Sequence, residues 1–169
     1  MIKPAVFLLI KTTQNVLELV QELKNQEFIK WISPVYGPYQ IVVYLEHEDE
    51  KELIKISEKI RVMDEIDELD VRIVKIIPKD EDLKAFKIEM KESAVLLINV
   101  DYKIEKERVV TWNLRKLNGV KLARAMWGPA DIIAIVEASD REPMRDLICD
   151  EIKTMSGVKT NSTLYCYPR

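Results

Sequence analysis

Two tandem α+β sandwiches, each running strand-helix-strand-strand-helix-strand, are the fold this chain predicts, and three observations predict them. First, landmarks recur at a spacing of about 90 residues, too long for a solenoid. Ala5-Val6-Phe7-Leu8-Leu9-Ile10 lines up with Ala94-Val95-Leu96-Leu97-Ile98, Gly37-Pro38-Tyr39-Gln40-Ile41 with Gly128-Pro129-Ala130-Asp131-Ile132, and Ile76-Ile77-Pro78 with Cys166-Tyr167-Pro168. Second, the hydrophobic period switches between 2 and 3.6 in the same order in each half, as strands and helices require. Third, each Gly-Pro pair lies between two strand-like runs, where a tight turn needs a residue that tolerates positive φ, so each half holds a central hairpin.

Element by element, the first half opens with a strand from Ala5, followed by a helical stripe of Val16, Leu19, Val20 and Leu23. After the hairpin, Ile41 to Leu45 is a strand. Asp49 is placed to cap a second helix, whose stripe is Leu53, Ile56 and Ile60. Lys79 to Glu92 reads as an ordered connector in which Phe86, Ile88 and Met90 alternate like a strand, while Leu83, Phe86 and Met90 suit one face of a short helix. In the second half, Val110, Leu114 and Leu117 form a stripe ended by Asn118-Gly119. Met144, Leu147, Ile148, Ile152 and Met155 form the last stripe, with Asp140 as cap and Pro143 in the first turn. The predicted division is 1–78, a connector 79–92, and 93–169. This element order, under the right-handed crossover rule, makes each half a ferredoxin-like sandwich. Its second sheet face would be bare, yet the inner strands are continuously apolar, as in strands covered on both sides. The expectation is therefore sheets packed face to face, within one chain or between chains, in the manner of a dimeric α/β barrel.

Composition narrows the function. Apolar residues make up 47% and charged residues 33% of 169, the balance of a folded, soluble chain. No apolar run approaches the roughly 20 residues that span a bilayer, and the start runs into a strand rather than a signal peptide, so a cytoplasmic location without membrane attachment is expected. The net charge of -3, with both signs interspersed, disfavours direct nucleic-acid binding. Cys149 and Cys166 are too few for a disulfide framework and are expected as buried thiols. His47, the only histidine, has no His or Cys near it in sequence and reads as a solvated turn residue, so no metal site is expected. The acidic run Asp64 to Asp70 lacks the glycine and ligand spacing of a calcium loop. With no phosphate-binding glycine loop, nucleophile elbow or histidine base, the chain is expected to be no enzyme and to carry no cofactor.

The second half resembles the ligand-binding RAM domain of the leucine-responsive regulator/AsnC family. The likeness is carried by Ala94 to Ile98, Leu117-Asn118-Gly119-Val120, Gly128-Pro129-Ala130-Asp131-Ile132, and Met155-Ser156-Gly157-Val158-Lys159-Thr160-Asn161-Ser162-Thr163-Leu164. The resemblance implies binding of amino acids or related effectors in clefts between subunits, coupled to assembly as a homo-oligomer or with a DNA-binding relative. The helix-turn-helix usual in that family has no place here, because the first strand starts by Ala5, and its DNA-binding role is not carried over. By position the ligand-binding candidates are Gly128, Asp131, Thr160 and Ser162. Asp131 can accept an ammonium group, and the hydroxyls with hairpin amides can hold a carboxylate. The plainer reading makes Asp131 a turn cap and the hydroxylic residues ordinary strand formers. In the first half Gln40 replaces the acid and Leu69-Asp70-Val71-Arg72-Ile73 replaces the hydroxylic strand, so its pocket is expected to be altered. Trp127, Tyr36 and Tyr39 are expected at a subunit interface. The rival expectations are an enzyme of the dimeric α/β-barrel type acting on a small metabolite, and a purely structural oligomerisation partner.

Overall fold

A computed structural model describes residues 2–169, which divide into two compact units, one ending at Val74 and one running from Lys75 to Arg169. The first unit contains β1 (Ala5–Lys11), α1 (Val16–Lys24), β2 (Ile29–Pro34), β3 (Ile41–Glu46), α2 (Glu50–Arg61) and β4 (Glu68–Ile73). Its antiparallel sheet is ordered β2-β3-β1-β4. The second contains β5 (Glu92–Val100), α3 (Glu107–Arg115), β6 (Val120–Ala125), β7 (Ile132–Ala138), α4 (Arg141–Arg145) and β8 (Val158–Tyr165), with its sheet ordered β6-β7-β5-β8. Both units are α+β ferredoxin-like sandwiches with central strand pairs, as the element order predicts.

Alternation along the strands builds the cores. Val6, Leu8, Ile10, Ile41, Val43 and Leu45 face Leu19, Leu23, Leu53 and Ile60 of the two helices. The residues between them, Phe7, Leu9, Val42 and Tyr44, point to the other face and are buried as well, with Phe7 and Tyr44 stacked at 4.6 Å between centroids. The second unit repeats this, with Leu96, Ile98, Ala134 and Val136 packed on Val110, Leu114 and Ile152, and Val95, Ile133 and Ile135 buried opposite. Burial on both faces is why these strands read as unbroken apolar runs.

Helix starts follow the sequence. Asp49 accepts from Lys51 N and Asp140 from Arg141 N, and Asn15 caps α1 by accepting from Glu18 N. Three features depart from expectation. The connector forms a single 3₁₀ turn at Asp80–Asp82 and then a stretch without regular secondary structure that joins neither sheet before β5; Asp80 is held by side chains of α3 and β6, which fixes a turn where periodicity is ambiguous. The last helix widens into a π-helix at Asp146–Ile152, because Leu147, Ile148 and Ile152 meet the core in either spacing. Cys149 lies on the outer side of that segment and is exposed, contrary to the expected burial, whereas Cys166 is buried.

The turn leading into the second strand matches in both units. Gly119 (φ +92°) precedes β6, and its carbonyl accepts from Glu137 N at 2.7 Å. Phe28 (φ +72°) precedes β2, and its carbonyl accepts from Glu46 N at 3.2 Å. A Cβ at Gly119 would lie 2.7 Å from the Glu137 carbonyl oxygen and 2.9 Å from Leu147 Cδ2, so only glycine fits there. The first unit tolerates a phenylalanine in the same left-handed conformation.

Candidate functional site

Of the four positions singled out in the second unit, Gly128 and Asp131 lie in the β6–β7 turn against the end of β5, and Thr160 and Ser162 lie on β8, on the other side of β5. The β6–β7 turn, with Gly128 at φ +121°, is closed by Met126 N donating to Asp131 O at 2.9 Å. Asp131 N donates to Ile98 O at 2.9 Å, which seats the side chain over the end of β5. There Oδ2 accepts from Val100 N at 2.8 Å and Oδ1 from the Tyr102 hydroxyl at 2.9 Å. Thr160 stands opposite Asn99 in the β5–β8 register and accepts from its side-chain amide at 2.9 Å. Ser162 stands opposite Leu97, on the same face as Thr160. Both hydroxylic side chains are exposed.

Around Asp131 runs a chain of charged partners. The Tyr102 hydroxyl is also 3.0 Å from Glu107 Oε2, and Lys75 Nζ lies 3.3 Å from both Glu107 oxygens. The same ammonium sits 4.1 Å above the Trp127 ring. Two carboxylates thus face one ammonium, leaving the cluster net negative. Burial of its hydroxyl end pushes the Tyr102 phenol up, and hydrogen bonds to Asp131 and Glu107 push it further, so it stays a neutral donor across the physiological range. Such an arrangement accepts an ammonium group at Asp131 and offers hydroxyl donors for an oxyanion.

In the first unit the same positions are filled differently. Gln40 N donates to Ile10 O at 2.8 Å and Gln40 Oε1 accepts from Thr12 N at 2.9 Å, so Gln40 makes the backbone bond that Asp131 makes to Val100. Where the second unit has Asn99 and Thr160, the first has a Lys11–Glu68 ion pair at 3.2 Å. Where it has Ser162, the first has Asp70, held by Arg72 Nη2 at 2.8 Å and the Tyr39 hydroxyl at 2.9 Å. Burial alone would raise the Asp70 carboxyl, but the Arg72 and Tyr39 bonds together hold it below the ordinary value. The first unit's end is closed by its own side chains.

Of the residues expected at an interface, Tyr39 is half-buried on Asp70, while Tyr36 and Trp127 are exposed, the latter beneath Lys75. His47 accepts from Asp49 N at 2.8 Å and meets Phe28 edge-on at 4.2 Å, a turn residue as expected. Sequence patterns missed Tyr102, Glu107 and Lys75, and they missed the buried Asp80 with Arg115 at 2.6 Å and Arg124 at 3.6 Å. No short-range pattern marks these groups, since the links from Lys75 to Glu107, Tyr102 to Asp131 and Asp80 to Arg115 each span about 30 residues. No helix among the described residues is long and apolar enough to cross a membrane.

The chain matches no protein-family model, and no curated protein matches it. Solved structures share its fold over nearly its whole length. The siroheme decarboxylase NirDL matches with a TM-score of 0.65 at 8% identity, covering 96% of this chain and 70% of that one. A putative chlorite dismutase, TA0507, matches with a TM-score of 0.62 at 9% identity, covering 99% and 95%. An anthrone oxidase-like protein matches with a TM-score of 0.61 at 9% identity, covering 99% and 91%. These likenesses establish the fold. They also correct the expectation that the chain is no enzyme: that expectation rests on the lack of familiar catalytic motifs, yet enzymes are built on this same architecture, so the exclusion has no ground. What this chain is similar to, at the level of fold, is a group that includes a decarboxylase, a chlorite dismutase and an anthrone oxidase-like protein.

Proposed function

We propose that the second unit binds a small metabolite bearing both an ammonium and a carboxylate, an amino acid or close relative, at the hairpin end of its sheet, and that occupancy regulates assembly with further copies or with a DNA-binding relative. One observation carries this reading: the first unit satisfies these positions with its own ion pairs, whereas the second leaves the hydroxyls of Thr160 and Ser162 exposed on β8 and, across β5, an Asp131–Glu107 cluster that is net negative. The residue-level resemblance to the RAM domain points the same way. Asp131 takes the ammonium, the hydroxyls and the amides around Gly128 take the carboxylate, and Trp127, Tyr36 and Tyr39 supply contact area between copies.

Calorimetric titration of the full chain with each of the common amino acids tests this, alongside Asp131→Ala and Gln40→Ala. Gln40→Ala removes the matching backbone bond in the first unit and so controls for the structural half of Asp131's role. At least one amino acid should bind the wild type and Gln40→Ala alike. Asp131→Ala should bind it about 10- to 100-fold more weakly, the size of a lost charge-assisted hydrogen bond. Binding by no amino acid, or equal binding by Asp131→Ala, would overturn the assignment. The enzymes that share the fold favour a second reading, in which the bound metabolite is converted; mass spectrometry of the same incubations reads that directly.

A further inference from the structure

Away from the hairpin end, the second unit contains a cleft of about 360 Å³. Its walls are α3 and the edge strand β6, and the start of the connector forms its rim. The volume is at the small end of the range for metabolite sites. Four cationic side chains line it, Lys79, Arg115, Lys116 and Lys121, against one carboxylate, Asp82. The floor is apolar, with Trp112, Val120 and Leu122 among its residues.

Several of these groups are already fixed in place. Arg115 Nε and Nη2 donate to Ala123 O at 3.0 and 2.8 Å, and Nη2 also bonds Asp80 at 2.6 Å. Trp112 Nε1 donates to Pro78 O at 2.9 Å, and Lys79 Nζ rests 4.6 Å above the indole ring. The buried Asp80 carboxylate is taken up by Arg115 and Arg124 and does not neutralise the lysines. Glu137 lies 3.9 Å from Lys121 Nζ, a loose pairing that leaves this ammonium part of its charge, and neither Lys79 nor Lys116 has a carboxylate within salt-bridge distance among the described residues. A cleft lined mostly by one sign of charge, with low-dielectric walls, concentrates the opposite sign, and groups held beforehand lose little entropy on binding.

From this geometry we propose that the cleft is a second, separate binding site, for a small organic acid with a flat apolar body, the ring lying against Trp112, Val120 and Leu122 and the carboxylate between Lys116 and Lys121. The apolar floor selects against a bare inorganic anion, and the rim selects against a cation.

Titration of the full chain with 2-naphthoate, inorganic phosphate and 2-naphthylmethylamine tests this. Naphthoate should bind at one site per chain, phosphate at least 10-fold more weakly, and the amine not at all. Lys116→Glu/Lys121→Gln, the first exposed and the second keeping a polar side chain beside the buried Glu137, should weaken naphthoate at least 10-fold while leaving the melting temperature near that of the wild type. Raising the salt concentration should weaken naphthoate binding too. Asp131→Ala should leave it unchanged, which separates this site from the hairpin end. The proposal is overturned if naphthoate fails to bind, if phosphate or the amine binds as well, if the lysine variant binds normally, or if Asp131→Ala abolishes binding.

Discussion

The two hairpin ends share a backbone and differ in what fills it. Gln40 and Asp131 occupy the same turn position and accept from the N–H two residues beyond the same strand residue, Thr12 in one unit and Val100 in the other. That bond is the structural task, and either an amide or a carboxylate performs it. The charge that remains at Asp131, and the neutral hydroxyls of Thr160 and Ser162, have no counterpart in the first unit, where Lys11–Glu68 and Arg72–Asp70 occupy the matching positions. A position common to both copies therefore reports on folding, and the difference between them is what the proposed binding role rests on.

Burial makes the largest difference testable. Asp80 is fully buried between Arg115 and Arg124, so Asp80→Asn strands two guanidinium groups and should lower the unfolding free energy by about 3–5 kcal/mol. Asp70 keeps about a third of its side chain in water, but the Arg72 it holds is buried, so Asp70→Asn leaves one guanidinium uncompensated and should cost about 1–3 kcal/mol, less than Asp80→Asn. Equal losses in urea titrations would erase the distinction between the two acid–arginine pairs.

A smaller effect separates the turns that lead into the second strand of each unit. Gly119→Ala forces a Cβ against the Glu137 carbonyl and should destabilise the protein by about 2–3 kcal/mol. Phe28→Gly relieves a left-handed residue but loses the edge contact to His47, and should change stability by no more than about 1 kcal/mol. Thermal melts of both variants read the asymmetry, and a mild Gly119→Ala would show that glycine and larger residues are interchangeable at this turn.

The smallest effect is in acid. Because the Asp70 carboxyl is held below its ordinary value of 3.8, its contribution is complete above that pH and is lost as the pH falls through the depressed folded value. Asp70→Asn should flatten this part of the stability curve below pH 3.8, and a variant whose acid limb superposes on that of the wild type would remove the ion pair from the account.

Much of the fold was legible because local signals carry it. Strand and helix periods, the Gly-Pro turns, and the caps at Asp49 and Asp140 each lie within a few residues and need no partner from elsewhere. The site is legible in part: Asp131 and Thr160 do reach the same end of β5 from its two sides, but the sequence does not separate the backbone bond of Asp131 from its spare charge. Tyr102, Glu107 and Lys75 escaped notice because their meaning arises on folding, when residues about 30 apart come within hydrogen-bond distance. The π-helical segment escaped because Leu147, Ile148 and Ile152 fit both spacings. Cys149 was misplaced because a thiol's preference for the interior is weaker than the side of the helix on which it falls.

Duplication within one chain has an evolutionary corollary. When a subunit pairs with an identical copy, every substitution appears twice, and a change that opens one cavity opens its mate as well. Two units encoded in series escape that symmetry, so one copy can accumulate ion pairs that harden it while its sibling stays receptive, and neither change has to be tolerated in both places.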